Sequence, residues 1–206
     1  MAEESRPDDP LGASWNRLQL SAPRALAADC GARLLPDVNV LRLKVVDKEC
    51  DLDLPAREIR YVVGEKADLS LHLQMLILHY VAGAGRAEVA NRLATFREFE
   101  GGDIYYSVFK SRAIDLIVKA FGTAPEVLKH VGEMLGAEPV KTGDVGFRVH
   151  FFPKLPIVVV LWLGDEEVPA SGNILFDANA GRILPTEDLS IAAETLVHRL
   201  IEISRR

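Results

Sequence analysis

The sequence predicts an α+β fold: a mainly antiparallel sheet with a central hairpin near residues 145–163, packed against several helices. Three observations predict it. Strand-like segments fall into two groups, helix-like segments lie between and after them, and the strict alternation of a doubly wound sheet is missing. A chain of 206 residues, 49% of them hydrophobic, can bury a sizeable core. One domain is expected over 13–206, behind a disordered tail at 1–12 that is rich in acids and proline.

Each element has its own signal. From Trp15 to Leu35 the spacing of Leu18, Leu20, Leu26, Ala27 and Leu34 allows a helix, interrupted near Pro23. Val38–Val46 alternates apolar and polar residues, and Ile59–Val63 is β-branched and ends at Gly64. Asp47–Asp53 between them reads as a polar turn. Asp68 and Ser70 offer N-caps to the apolar segment Leu69–Val81, which is expected to be a buried helix stopping at Gly83 and Gly85. Leu93–Phe99 is expected to be extended. Tyr105, Val108, Phe109, Leu116, Ile117 and Ala120 recur at helical spacing up to Gly122. Thr123-Ala-Pro-Glu126 then matches a capping box ahead of Val127, Leu128, Val131 and Leu135. Val145–Phe152 and Ile157–Leu163, joined by Pro153-Lys-Leu-Pro156, make the hairpin; Asn173–Asp177 is a further strand. A last helix carries Leu189, Ala193, Leu196, Leu200 and Ile203 on one stripe.

Charge and composition exclude several classes. With 24 basic and 30 acidic residues the net charge is −6, which argues against a general nucleic-acid binder. The start of the chain has neither a basic nor an apolar signal region, and the longest apolar run, Leu155–Leu163, is about half a membrane span. Cys30 and Cys50 form no metal or disulfide motif. A cytoplasmic protein without a membrane segment is expected.

Two polar features suggest where chemistry sits. Between Gly164 and Asp188 stand six acids (Asp165, Glu166, Glu167, Asp177, Glu187 and Asp188) and one base, Arg182. Carboxylates drawn together from several loops can bind a hard cation or raise one another's pKa for acid–base work. Strain of that kind predicts that Asp165→Asn and Asp177→Asn raise stability. Each acid also has a local reason to be present, at a turn or a helix start. The second feature is Phe96–Tyr106, in which Gly101-Gly102 allows close backbone approach, Arg97 can clamp an anion, and Tyr105 and Tyr106 present aromatic faces with hydroxyl tips. No phosphate-loop motif, HExxH or GxSxG elbow occurs. His72 and His79 share a helical face, a spacing that permits ligation but equally suits an amphipathic edge.

The words Gly143-Asp-Val-Gly-Phe-Arg-Val, Leu161-Trp-Leu-Gly-Asp-Glu-Glu167 and Leu184-Pro-Thr-Glu-Asp188 resemble the bacterial and archaeal domain of unknown function 3786. Leu76-Ile-Leu-His-Tyr80, Phe96-Arg-Glu-Phe99, Gly101–Tyr106 and Asn173–Asp177 extend the resemblance, which covers roughly residues 40–200. It names no activity. It implies an anaerobic setting, where some members carry an iron–sulfur module; this chain has no four-cysteine motif, and Val168 replaces an expected phenylalanine. The function this suggests is a small-molecule-binding or accessory domain tied to corrinoid, one-carbon or iron–sulfur metabolism. Asp165, Glu166, Asp177, Glu187 and Asp188 would line one wall, facing Arg97, Tyr105, Tyr106 and Trp162. The alternatives are a metal-dependent enzyme using the carboxylates and an interaction module whose acidic face docks a protein partner.

Overall fold

The computed structural model describes residues 11–63 and 69–206. The tail expected at 1–12 therefore lies, except for Leu11 and Gly12, outside the described residues, as do Gly64 and the Asp68 cap. The fold is α+β with two antiparallel sheets. Helices α1 (Gly12–Leu18) and α2 (Pro23–Cys30) come first, divided at Pro23, whose missing N–H suits the first helical turn. A four-stranded meander follows in the order β1 (Arg33–Leu35), β2 (Val40–Val45), β3 (Lys48–Asp53) and β4 (Glu58–Tyr61).

Strand β3 corrects the polar turn expected over 47–53. Its sequence, Lys-Glu-Cys-Asp-Leu-Asp, has weak strand propensity, but pairing overrides it. Asp51 lies opposite Arg42 of β2, and the guanidinium grips the carboxylate through two bonds of 2.7 and 2.9 Å. The turn itself is only Val46-Asp47. Val46 has φ of 56°, strained for a β-branched residue, and its N–H donates to Phe151 O across to the second sheet at 2.8 Å.

Helix α3 (Leu71–Gly83) begins where Ser70 Oγ accepts the Leu73 N–H, and six of its large side chains are buried. Its one buried hydroxyl, Tyr80, donates to Cys30 O at 2.8 Å, accepts from the Lys154 N–H at 3.0 Å and stacks its ring on Phe152. Burial pushes that phenol's pKa up. The segment expected to be extended to Phe99 is a strand only as β5 (Leu93–Thr95); Thr95 and Glu98 then form the capping box of a short 3-10 turn. The expected long helix runs as α4 (Gly102–Phe109), a π turn over Lys110–Ile114, and α5 (Asp115–Phe121). Helix α6 (Pro125–Met134) starts without the predicted Thr123 box: Ala124 is its N-cap and Pro125 sets the first turn.

The second sheet has the order β5-β9-β8-β7-β6, with β6 at Glu138–Pro139, β7 at Val145–Phe152, β8 at Leu155–Trp162 and β9 at Ser171–Asp177. The expected hairpin is β7–β8, and β8 is central, its first seven residues all buried. Short α7 (Ala180–Ile183) leads into α8 (Thr186–Ser204), which buries Leu189, Ala193, Leu196, Leu200 and Ile203. Phe96, Phe99, Phe109 and Phe176 pack with ring centroids 4.0 to 6.3 Å apart. Such aromatic contacts contribute roughly 0.5–1.5 kcal/mol each beyond area burial, so they fix the loop at 96–102 firmly.

Candidate functional site

The register of β8 with β9 decides which acids can meet. Trp162 pairs with Ser171 at one end and Ile157 with Phe176 at the other. Five residue steps separate these ends, roughly 17 Å at ~3.4 Å per residue. Trp162 and the loop bearing Asp165 and Glu166 therefore stand at one end, and Asp177 at the other. The expected single acidic wall does not form. At the first end Asp165 accepts the backbone N–H groups of Glu167 and Val168 at 2.9 and 2.8 Å, which hold its carboxyl below the usual range. Glu166 is exposed beside it, and Trp162 is half-exposed. At the other end Asp177 is buried and accepts from the N–H groups of Ala90, Asn91 and Asn179, at 2.8 to 2.9 Å. Its oxygens organise three backbone segments. Among the described residues, no group of three or more His, Cys, Asp or Glu side chains is placed to hold a metal ion.

The start of α8 does gather predicted residues. Tyr105 lies beside the Glu187 carboxylate, whose negative charge raises the phenol's pKa. Thr186 Oγ1 donates to Glu100 O at 2.7 Å, joining the glycine loop to the helix. Arg97 stacks over the Tyr106 ring at 3.9 Å and faces Asp103 at 3.7 Å, so its charge is partly engaged on the surface.

Asp188 is the acid that differs. It is buried, and its Oδ2 lies 2.7 Å from His79 Nδ1 on α3. On the other edge of the ring, His79 Nε2 lies 3.2 Å from Ser14 Oγ on α1. An ionised carboxylate only accepts, so Nδ1 carries the proton, Nε2 is the acceptor, and the Ser14 hydroxyl donates to it. Burial pushes the Asp188 carboxyl above its ordinary value; the bond from His79 pulls it part of the way back. His72, seven residues earlier, is exposed and shares none of these partners.

The His79 ring opens on a cavity of about 330 Å³. Arg17 from α1, Arg86 after α3 and Arg182 from α7 line it, with Glu100 and the backbone turn Ile183–Pro185. None of these three guanidinium groups has an ion-pair or hydrogen-bond partner among the described residues. In a chain of net charge −6, three cations with no partner among the described residues, set against the one carboxylate of Glu100, leave the lining of this concavity net positive. The spacing of its walls depends on Gly83: a Cβ there would lie 2.0 Å from Ile183 O. A larger cavity of about 400 Å³ beside Trp15, Leu18 and Pro55 has no charged lining residue.

The words that carry the resemblance meet at this place: Leu76–Tyr80 supplies His79, Gly101–Tyr106 supplies Tyr105, and Leu184–Asp188 supplies Glu187 and Asp188. The family model described as Domain of unknown function (DUF3786) matches residues 22–199. The chain belongs to that family. No curated protein and no solved structure matches it significantly. His79, Arg86, Arg182 and Asp188 of this DUF3786 chain fall within the matched residues, whereas Ser14 and Arg17 precede them.

Sequence reasoning gave Ser14, Arg17, Arg86 and Arg182 no part in a site, and left His79 open between ligation and an amphipathic edge. One signal was available. A histidine inside a helix that is apolar on nearly every face must find a polar partner, because burying an unpaired imidazole costs on the order of 1–3 kcal/mol.

Proposed function

We propose that the chain is a small-molecule-binding protein and that its ligand is a small anion, a carboxylate or phosphate ester, held in the cavity at the start of α8. The observation that carries this reading is the convergence on a concavity of about 330 Å³ of Arg17, Arg86 and Arg182, none of which has a partner among the described residues. That volume is at the lower end of the range for ligand sites. Guanidinium groups bind planar oxyanions through paired hydrogen bonds, so three of them favour a ligand with more than one anionic oxygen. His79, oriented by Asp188, faces the same space and supplies a polar contact that depends on its protonation.

A corrin macrocycle is larger than this cavity of about 330 Å³, so a corrinoid is not proposed as its ligand. The metal-dependent alternative lacks a ligand cluster among the described residues. Calorimetric titration with inorganic phosphate and with succinate, at low ionic strength, tests the proposal. Binding is expected to weaken about tenfold in each of Arg86→Ala and Arg182→Ala, since one charge-assisted hydrogen bond contributes roughly 1.5–3 kcal/mol. Equal affinity in the wild type and the double variant would overturn it.

A further inference from the structure

We infer that Ser14, His79 and Asp188 form a nucleophile–base–acid relay that hydrolyses a small ester or thioester whose acyl part carries an anionic group. The inference rests on the anion-binding reading for its substrate class, but its chemistry stands on separate distances. Ser14 Oγ is 3.2 Å from His79 Nε2, and His79 Nδ1 is 2.7 Å from Asp188 Oδ2. These are the two contacts a hydrolytic triad requires, nucleophile to base and base to orienting acid, and such triads are recognised by geometry and not by chain order. The three residues come from α1, α3 and α8, elements held by a common buried core, so the relay is positioned by packing. Ser14 is only 6% exposed, and the ring it bonds lines the cavity.

In the first half-reaction Ser14 Oγ attacks the carbonyl carbon as its proton passes to His79 Nε2. The resulting imidazolium is stabilised by Asp188. The bond from the carbonyl carbon to the leaving oxygen or sulfur then breaks, and His79 returns the proton to that atom, releasing the alcohol or thiol. Water attacks the acyl-Ser14 ester, giving its proton to His79; the bond to Oγ breaks, Oγ recovers the proton, and the carboxylic acid leaves. The net change is ester plus water to acid plus alcohol, with no oxidation or reduction. Arg17 lies three residues beyond Ser14, one turn along the same helix face, and lines the cavity beside His79. It supplies positive charge where the carbonyl oxygen becomes an oxyanion, while Arg86 and Arg182 hold the substrate's anionic group. Asp188 is a positioning residue.

The test uses the full chain and an uncharged alkyl fluorophosphonate, with the modified residue located by mass spectrometry. A single adduct on Ser14 is expected, lost in His79→Ala. No adduct, an adduct on another serine, or labelling that persists in His79→Ala would overturn the inference. Ser14→Cys keeps a nucleophile at the site and is expected to react with iodoacetamide at least tenfold faster than Cys30 or Cys50, which are buried with thiol pKa values pushed up to about 11 and about 12. For Asp188→Asn, the labelling rate is expected to fall at least tenfold and to be partly restored in Asp188→Glu, with the circular dichroism spectrum unchanged; an unchanged rate would remove Asp188 from the relay. Phosphate titration separates this from the binding reading. Labelling that fails while phosphate still binds removes the relay alone, and labelling that survives in Arg86→Ala with Arg182→Ala keeps the relay even if phosphate binding proves absent.

Discussion

The two ends of the β8–β9 pair both carry acids, and the acids do opposite things. Beyond Trp162, Asp165 is exposed, ties its own loop together through two backbone N–H groups, and holds its proton less tightly than an ordinary aspartate. Beyond Phe176, the chain turns through Asp177 and α7 to Asp188, which is buried, bonded to a histidine, and holds its proton more tightly. The first arrangement stabilises the fold at its own position. The second carries a desolvation cost for a carboxylate beside a positive cavity, and ionisable groups perturbed by burial next to a specific partner cluster at functional sites. Placement relative to backbone donors, more than the number of acids, separates a turn from a site.

Three substitutions sharpen or break that contrast. The largest effect is expected for Asp177→Ala, which removes the acceptor of three backbone N–H groups and destabilises by about 2 kcal/mol in urea denaturation. A change within ~0.5 kcal/mol would show that Asp177 is not the structural acid at this end. Asp188→Asn is expected to go the other way, raising the melting temperature at pH 7 by about 2 °C while impairing the site. The sign follows from proton linkage: an acid whose folded pKa is raised binds more protons folded than unfolded. Stability then falls as pH rises from the unfolded value, near 3.9, through the raised folded value, and the substitution removes that fall. A lower melting temperature in the variant across the whole range would show that the bond to His79 outweighs the burial cost. Asp165→Asn should have the smallest effect, lowering the melting temperature by about 1 °C at neutral pH. Its folded pKa is depressed, so its contribution is present above about pH 4 and lost as pH falls through the lower folded value. Asp165→Asn and Asp177→Ala are thus both expected to destabilise, the opposite of the gain that carboxylate strain predicts.

Much of the fold was legible because its signals are local. The hairpin at 145–163, the apolar α3 and the striped α8 each announce themselves within one window of sequence. Strand β3 did not, because its conformation depends on β2 and on the Arg42–Asp51 grip, which no window contains. The site was legible only in part for the same reason. Clustering and the glycine loop singled out Glu187, Asp188 and Tyr105, of which Tyr105 and Glu187 interact and Asp188 bonds His79. His79 is 109 residues from Asp188 and 65 from Ser14, and the three arginines come from three separate segments. Counting acids pointed to a negative patch, whereas the concavity at the start of α8 is lined by three arginines and one glutamate. Net charge along a chain and charge around a cavity are set by different things, the first by composition and the second by topology.

Gly83 gives the cavity its bore by what it lacks. It lets the last turn of α3, which bears His79 and leads to Arg86, rest directly on the Ile183 carbonyl behind Arg182. A single methyl group there would act as a shim, moving one wall from the other by a fraction of the width of a carboxylate. The arginines would keep their charges and the histidine its partners, yet they would no longer converge on the small anion proposed above. Selectivity for ligand size would then be written at a residue that never touches the ligand.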